Sequence, residues 1–398
     1  LLTSSMREAP VAGWTTTVKE LELPPGTVVR PIGSIGDRGI FLGITGEGWW
    51  LLGLDVASGR RLFGPVRLGP AGDASDFDCF VNGPRMVLCV RQERDPNTPA
   101  TAWVVDNETG AVTFAGPTDV RVAAVPGRPR LEQLGDYAIA EVEGQGVRGL
   151  GPHGELTWFV PGDGILTAQF TMQDRDYAPP TLAVQGSGGV ADVVFSVIDG
   201  RVVKPSLPQD VQLGRAVVYP GGFGYQYTTA DGVARVAFFD DTGKMLGEPE
   251  SGDTLETRSP DVPIVAKDSN RTVFNLDGRR LVDLPRSAAS PDGRRIGSRL
   301  FIATDADHRQ WQQFDLRTGE AGKTCEGDGL GPYYIASDGA VAVALGERTL
   351  LEAVDLTTCE TLWSLPGPAP NEAKEIWKVN TTLVQRTDDR LFSLVAPP

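Results

Sequence analysis

Positive charge, histidine, cysteine and helical periodicity are scarce in this sequence, and each shortage removes a class of function. Against 52 Asp and Glu the 398 residues carry only 37 Lys and Arg, a net charge of −15, and no Lys/Arg run exceeds two residues. A phosphate-binding face needs clustered cations, so nucleic acid is excluded as a partner and anionic lipid headgroups are disfavoured. Two histidines, His153 and His308, leave little for His-assisted nucleophiles. No Gly-x-Ser-x-Gly elbow, phosphate loop or His-Glu-x-x-His helix occurs. The four cysteines contain neither Cys-Cys nor Cys-x-x-Cys, which removes the usual zinc ligand pair, and no metal or cofactor is assigned. No apolar run approaches the ~18 residues that span a bilayer. The amphipathic segments that a parallel α/β fold places between strands are also missing. Only Pro370–Trp377 has a turn's worth of helical character.

What is abundant is turn chemistry. Gly 48 and Pro 30 accompany a hydrophobic fraction of 40%, enough for a core built from many short strands. One phrase recurs: an apolar strand ending in Asp, a tight turn ending in Gly, then another strand. It appears at Leu54-Asp55 through Gly59, Val105-Asp106 through Gly110, and Phe239-Asp240 through Gly243. The closest copies are Phe314-Asp315 through Gly319 and Val354-Asp355 through Cys359. Asp and Thr side chains accept or share bonds with nearby backbone N–H groups, and Gly supplies the positive φ. With the apolar runs before and after it, each unit holds about four strands in roughly 35 to 50 residues, the size of one propeller blade.

The chain stops at Pro398 just where the next turn is due, and Ala12–Val18 resembles the missing outer strand. N- and C-terminal strands sharing the last blade leave no open edge. The fold class is therefore all-β: a single closed β-propeller of eight blades, with seven or nine also compatible, and residues 254–285 as its shortest unit. A solenoid would need polar caps, which these termini do not resemble.

Cys79 and Cys89 flank the hairpin signal Asn82-Gly83-Pro84-Arg85, and Cys325 and Cys359 fall at similar places in successive repeats. Two disulfides are expected, one within a blade and one between neighbours, which implies an oxidising compartment. Leu1-Leu2-Thr3-Ser4-Ser5 reads as the tail of an export signal or membrane anchor. Residues 1–9 are then a linker and 10–398 the propeller domain, placed in the periplasm or on the outer side of the cell membrane.

The repeat resembles the quinoprotein-like (PQQ-like) propellers, whose blades carry a Leu-Asp-x-x-Thr-Gly turn and a Trp on the outer strand. The match is good at Leu54-Asp55, at Phe314–Gly319 and from Val354-Asp355 to Leu362-Trp363, and weak between residues 120 and 300. Quinone-dependent members place a vicinal disulfide over the cofactor, and no such pair exists here. The non-enzymatic branch, which includes the docking lipoprotein of outer-membrane β-barrel assembly, implies a scaffold. By length, acidity and Gly/Pro/Arg/Asp/Val usage the chain also resembles membrane-anchored periplasmic propellers of mycobacteria and corynebacteria. One such family is a polar growth factor that assists trehalose monomycolate export with an RND-type transporter.

Ligands of a propeller usually meet the face formed by the loops between second and third strands and between blades. That face carries Asp163, Asp305, Asp307, His308, Asp328, Asp388 and Asp389, together with the loop Arg91–Pro99. Further carboxylate groups are Asp73, Asp76 and Asp78, and Asp174 with Asp176; Trp377, Tyr333 and Tyr334 are candidates for stacking on a sugar or covering a lipid. The expected function is a non-catalytic, monomeric scaffold of the cell envelope. Its partners would be a membrane transporter or envelope-assembly protein and a trehalose glycolipid. The alternative is a secreted carbohydrate-active or quinone-dependent enzyme using loop-face carboxylates.

Overall fold

A computed structural model of the chain describes residues 1–70, 74–166, 176–286, 292–346, 348–370 and 372–398. The described strands form nine antiparallel sheets, eight of four strands and one of two. In chain order they occupy residues 28–70, 74–118, 130–161, 182–196, 212–247, 254–284, 293–326, 334–366 and 374–395, the last joined by Val11–Thr17. These are blades 1 to 9. The two-stranded sheet of blade 4, Leu182–Gln185 with Val193–Ser196, is flanked by single bridges from Leu166 to Gln185 and from Phe195 to Val202. In outline it has four strands as well. The closed all-β propeller is as expected, and the blade count falls at nine, the upper end of the expected range.

Packing gives the same number. Nine clusters of buried apolar residues occur among the described residues, one at each contact between adjacent blades. Phe41 and Leu52 of blade 1 meet Val384 and Leu391 of blade 9, Ile40 and Leu51 meet Val81 and Val87 of blade 2, and Leu300 and Ile302 of blade 7 meet Ile264 and Val273 of blade 6. The second strand of blade 1, Arg38–Thr45, is buried from Gly39 to Gly43 because both its faces lie against neighbours. The outer strand of blade 2, Val112–Thr118, is mostly exposed, as an edge should be. Each fully buried Leu, Ile, Val or Phe contributes roughly 1.5–3 kcal/mol.

Closure follows the expected route. Val11–Thr17 pairs antiparallel with Arg390–Val395, with Val11 opposite Val395 and Thr16 opposite Leu391. Lys374–Val379, which takes in the second half of the Pro370–Trp377 stretch read as having helical character, is instead the inner strand of blade 9, where Ile376 and Val379 are buried against neighbouring blades. Residues 1–8 run beside blades 8 and 9, with Leu2 and Met6 buried between them.

The recurring Asp closes the third turn of blades 1, 2, 5, 7 and 8. Asp55 Oδ1 accepts from Ala57 N at 3.0 Å and Ser58 N at 3.2 Å, and Asp355 Oδ1 from Thr357 N at 2.7 Å and Thr358 N at 2.9 Å. The turn glycine has a second duty. A Cβ on Gly59 would lie 2.6 Å from the ring of Trp14 on the outer strand of blade 9, and one on Gly200 2.5 Å from Trp158 of blade 3. Each such turn thus seats on the outer strand of the preceding blade, and the Trp14 indole donates to Val56 O at 2.7 Å. In blade 8 the turn position is Cys359, at φ 63°. It is bonded to Cys325 on the outer strand of blade 7. Cys79 and Cys89 stand directly opposite on adjacent strands of blade 2 and form the other bridge. Both pairings are those expected.

Candidate functional site

Strand order divides the turns between two faces. Those joining second to third strands and blade to blade form a loop face; those joining first to second and third to fourth form a turn face. All seven candidate carboxylate and histidine positions fall on the loop face. Asp305, Asp307 and His308 share one turn of blade 7, between Arg299–Ala303 and Gln310–Asp315. Asp305 Oδ1 accepts from Arg309 N at 3.0 Å and Gln310 N at 2.9 Å, so its work is to cap that turn. His308, at φ 55°, meets Asp292 Oδ2 through Nε2 at 2.6 Å, and Trp311 Nε1 donates to its carbonyl at 2.8 Å. Asp307 is exposed. Asp292 carries no repeat signal, and sequence reading missed it.

The others stand in separate turns. Asp163 follows the outer strand of blade 3 and its Oδ1 accepts from Ile165 N at 2.9 Å. Asp388 and Asp389 form the exposed turn of blade 9 between Thr382–Thr387 and Arg390–Val395. Asp328 opens the short 3-10 turn Asp328–Leu330 between blades 7 and 8; its side chain lies outside the described part. Asp73 and Asp174 are also outside the described residues. Asp78 accepts from Arg30 at 2.7 Å. In the loop Arg91–Pro99, Arg91 pairs with Glu93 at 2.7 Å and Asp95 caps Asn97. Among the described residues no hydrogen bond or ion pair joins the loop-face candidates of different turns to one another, and none forms a group of three or more metal-ligating side chains.

The other end of the axis is different. Two first-to-second-strand connections meet there, residues 176–180 of blade 4 and 256–263 of blade 6. Asp176 accepts from Lys378 Nζ of blade 9 at 2.9 Å, with both side chains buried, and from the hydroxyl of Tyr334 of blade 8. Tyr177 donates to Asp261 Oδ1 at 2.8 Å, whose Oδ2 accepts from Arg295 N of blade 7 at 2.8 Å. One short segment therefore ties together blades 4, 6, 7, 8 and 9 across the axis. A buried pair of this kind contributes little net attraction, but removing one partner strands a buried charge. Tyr334, a candidate for covering a ligand, is part of this knot.

Beside the segment lies a cavity of about 540 Å³, walled by the inner strands of blades 9, 1, 2 and 3. Pro31, Ile32, Val81, Pro179, Pro180 and Trp377 give it an apolar lining. Asp136, in the hairpin turn of blade 3, also stands in its wall, and burial raises its carboxyl above the ordinary range. Nothing in the turn sequence Leu134-Gly135-Asp136-Tyr137 distinguishes Asp136 from an exposed turn residue; only closure of the ring places it by the axis.

A known family agrees with this architecture. The chain matches, over residues 1–397, the family described as the conjugation-associated 9-bladed beta-propeller domain. It is 39% identical over 428 residues to an uncharacterized protein of Mycolicibacterium smegmatis (strain MKD8), covering 100% of this chain and 87% of that protein. Among solved structures it is similar to BamB from Moraxella catarrhalis, at 11% identity over 98% of both chains with a TM-score of 0.35. It is also similar to the C-terminal WD40 domain of Sif2, at 11% identity over 82% of this chain and 96% of that one, with a TM-score of 0.41. With nine sheets, nine inter-blade cores and a match along its whole length, the chain belongs to the conjugation-associated nine-bladed β-propeller family.

Proposed function

We propose that this propeller is an exported, non-catalytic scaffold that docks a protein partner during conjugative transfer. The observation that carries the reading is the match of residues 1–397 to a conjugation-associated family. Two disulfides with no free cysteine support an oxidising, extracytoplasmic setting. The scaffold role is supported by the dispersal of the loop-face carboxylates: each caps or decorates its own turn, whereas acid–base catalysis needs two converging on one bond. The envelope setting stays within this proposal, with the conjugation machinery in the place of a lipid exporter as partner.

Deletion of the gene in donor and in recipient, with transfer frequency as readout, tests it. A fall of at least about tenfold is expected, restored by the exported chain and not by a chain retained in the cytoplasm. Unchanged transfer in both mating roles sinks the reading. Calorimetry with trehalose monomycolate is the second arm, and saturable binding there would return the function to envelope lipid export.

A further inference from the structure

The third turn of each blade from 1 to 7 ends in a glycine at positive φ, from Gly59 at 74° in blade 1 to Gly319 at 76° in blade 7. The glycine amide closes the turn, as Gly110 N does on Asp106 O at 2.8 Å and Gly319 N on Asp315 O at 2.7 Å. The preceding blade leaves little room there for a side chain. A Cβ on Gly243 would lie 2.2 Å from Lys204 O of blade 4, and one on Gly319 2.7 Å from Leu281 O of blade 6. Blade 8 keeps the turn without the glycine. Cys359 N donates to Asp355 O at 2.8 Å, and its φ of 63° lies in the left-handed region that a Cβ disfavours. The bond to Cys325 on the outer strand of blade 7 offsets that strain, because bonded sulfurs sit closer than two thiols can. The same seam is thus closed by an empty position in the earlier blades and by a covalent bond in blade 8. Only the second kind of closure depends on redox setting.

We propose that the third turn of blade 8 is a redox-gated joint, locked onto blade 7 while Cys325 and Cys359 are bonded and lifted from it when both are thiols. Cys325 is buried in the apolar core between the two blades, and Cys359 is half-buried, so Cys359 is the half of the bond nearer solvent. A dithiol reductant attacks it as a thiolate, and Cys325 leaves and takes up a proton. The second thiol of the reductant then closes on the first and releases Cys359, so that two electrons and two protons pass to the protein. The freed Cys359 keeps its left-handed strain with nothing to offset it. Leu356 stays seated in the core, its carbonyl accepting from Gln313 of blade 7, which confines the opening to residues 357–360. Cys79–Cys89 gates nothing of this kind, since its two strands are paired in register on both sides of the bridge. In an exported chain the gate would leave one seam loose until an oxidising compartment is reached. It belongs to the chain alone and works whatever partner the propeller docks.

Amide hydrogen exchange on the full chain, before and after reduction with dithiothreitol, tests the gate. The amides of Thr358 and Cys359 should exchange at least about tenfold faster after reduction, while those of Gly110 and Gly319, at matching turn positions, stay within about twofold. The variant Cys325→Ala/Cys359→Gly restores the turn glycine. It should hold the amide of residue 359 within about threefold of the oxidised parent, with or without reductant. An unchanged rate at Cys359 on reduction overturns the proposal. A rise spread equally over all three turns overturns it too, because the bond would then support the ring as a whole. Equal opening in the reduced parent and the glycine variant would assign the loss to the missing bond alone and overturn the gating role of Cys359. Transfer frequency plays no part in this readout, so the gate and the conjugation reading can fail separately.

Discussion

The turn face and the loop face of this ring use the same residue types for different ends. On the turn face, Asp of the third turn closes the hairpin, and Gly or Cys after it seats the turn on the preceding outer strand, as Gly59 does on Trp14 and Cys359 on Cys325. The Asp bonds stay within the turn, and the Gly and Cys contacts run from blade to blade and hold the ring. On the loop face, Asp305 caps only its own turn, and Asp388 and Asp389 are exposed. The joint between blades is thus concentrated on the turn face, whereas Asp388 and Asp389 of the loop face stand exposed to solvent. Substitutions should therefore divide by face, those on the turn face costing stability and those on the loop face costing binding.

The largest break in that division comes from the closing strand. Removing residues 1–21 deletes Val11–Thr17, opens the edge of Arg390–Val395 and strips Trp14 from Gly59 and Val56. The truncated chain should aggregate or melt without a cooperative transition, since an exposed edge strand recruits other chains. A parent-like melting curve would show that ring closure contributes little.

The disulfides sharpen the comparison next. Cys325–Cys359 joins two blades across a sequence separation of 34, and Cys79–Cys89 bridges strands already paired within one hairpin, 10 apart. Chain-entropy arguments give about 4 kcal/mol for the longer loop and about 3 for the shorter. Cys325→Ser/Cys359→Ser should lower unfolding stability more than Cys79→Ser/Cys89→Ser, as read by denaturant titration without reductant. Equal losses would count against the inter-blade joint as the more important one.

Acid sensitivity separates the carboxylates further. The side chain and backbone N–H of Arg317 hold the Asp315 carboxyl down at about 2. Backbone and side-chain bonds from Thr109 hold Asp106 below its ordinary range in the same way. A carboxyl depressed by folding contributes stability above its unfolded value, and that contribution is lost as pH falls through the folded value. Asp315→Asn should therefore flatten the loss of stability between about pH 4 and pH 2. Asp136 and Asp192 shift the other way through burial. Their contribution is present at low pH and fades as pH rises through their raised values.

Much of the ring was legible in the sequence because its joints are local. The Asp-to-Gly turn spacing, the outer-strand Trp and both cysteine pairs each sit within one or two repeats, and the structure places them as that spacing implies. Residues 254–285, the least convincing unit by length, are a full four-stranded sheet. Blade 4 is the one whose described strands are reduced to two. Its sequence holds Pro179-Pro180 and Gly186-Ser187-Gly188-Gly189 around four-residue strands, chemistry that ends pairing early. The axial site was legible only in fragments: Asp176, Tyr334 and Trp377 stood out one by one, whereas Asp136, Lys378 and Asp261 did not, because these residues come from different blades and share no motif. Only the closing of nine blades brings them together. His308 was singled out by its rarity, and its partner Asp292, 16 residues earlier, by nothing.

The smallest expected effect on stability is the most informative about function. Asp305→Asn/Asp307→Asn/His308→Asn keeps an Oδ acceptor for Arg309 N and Gln310 N, and Asn tolerates the positive φ of position 308. What is lost is two negative charges and the contact of His308 with Asp292, a pair in which both side chains stay about one-third exposed. Such pairs are worth about 0–1 kcal/mol, so unfolding stability should change by no more than about 1 kcal/mol. If the loop face is the docking surface, capture of the conjugation partner by this variant should fall several-fold while its melting curve stays with the parent. Unchanged capture by the loop-face variant would leave the loop-face carboxylates as solvated turn caps.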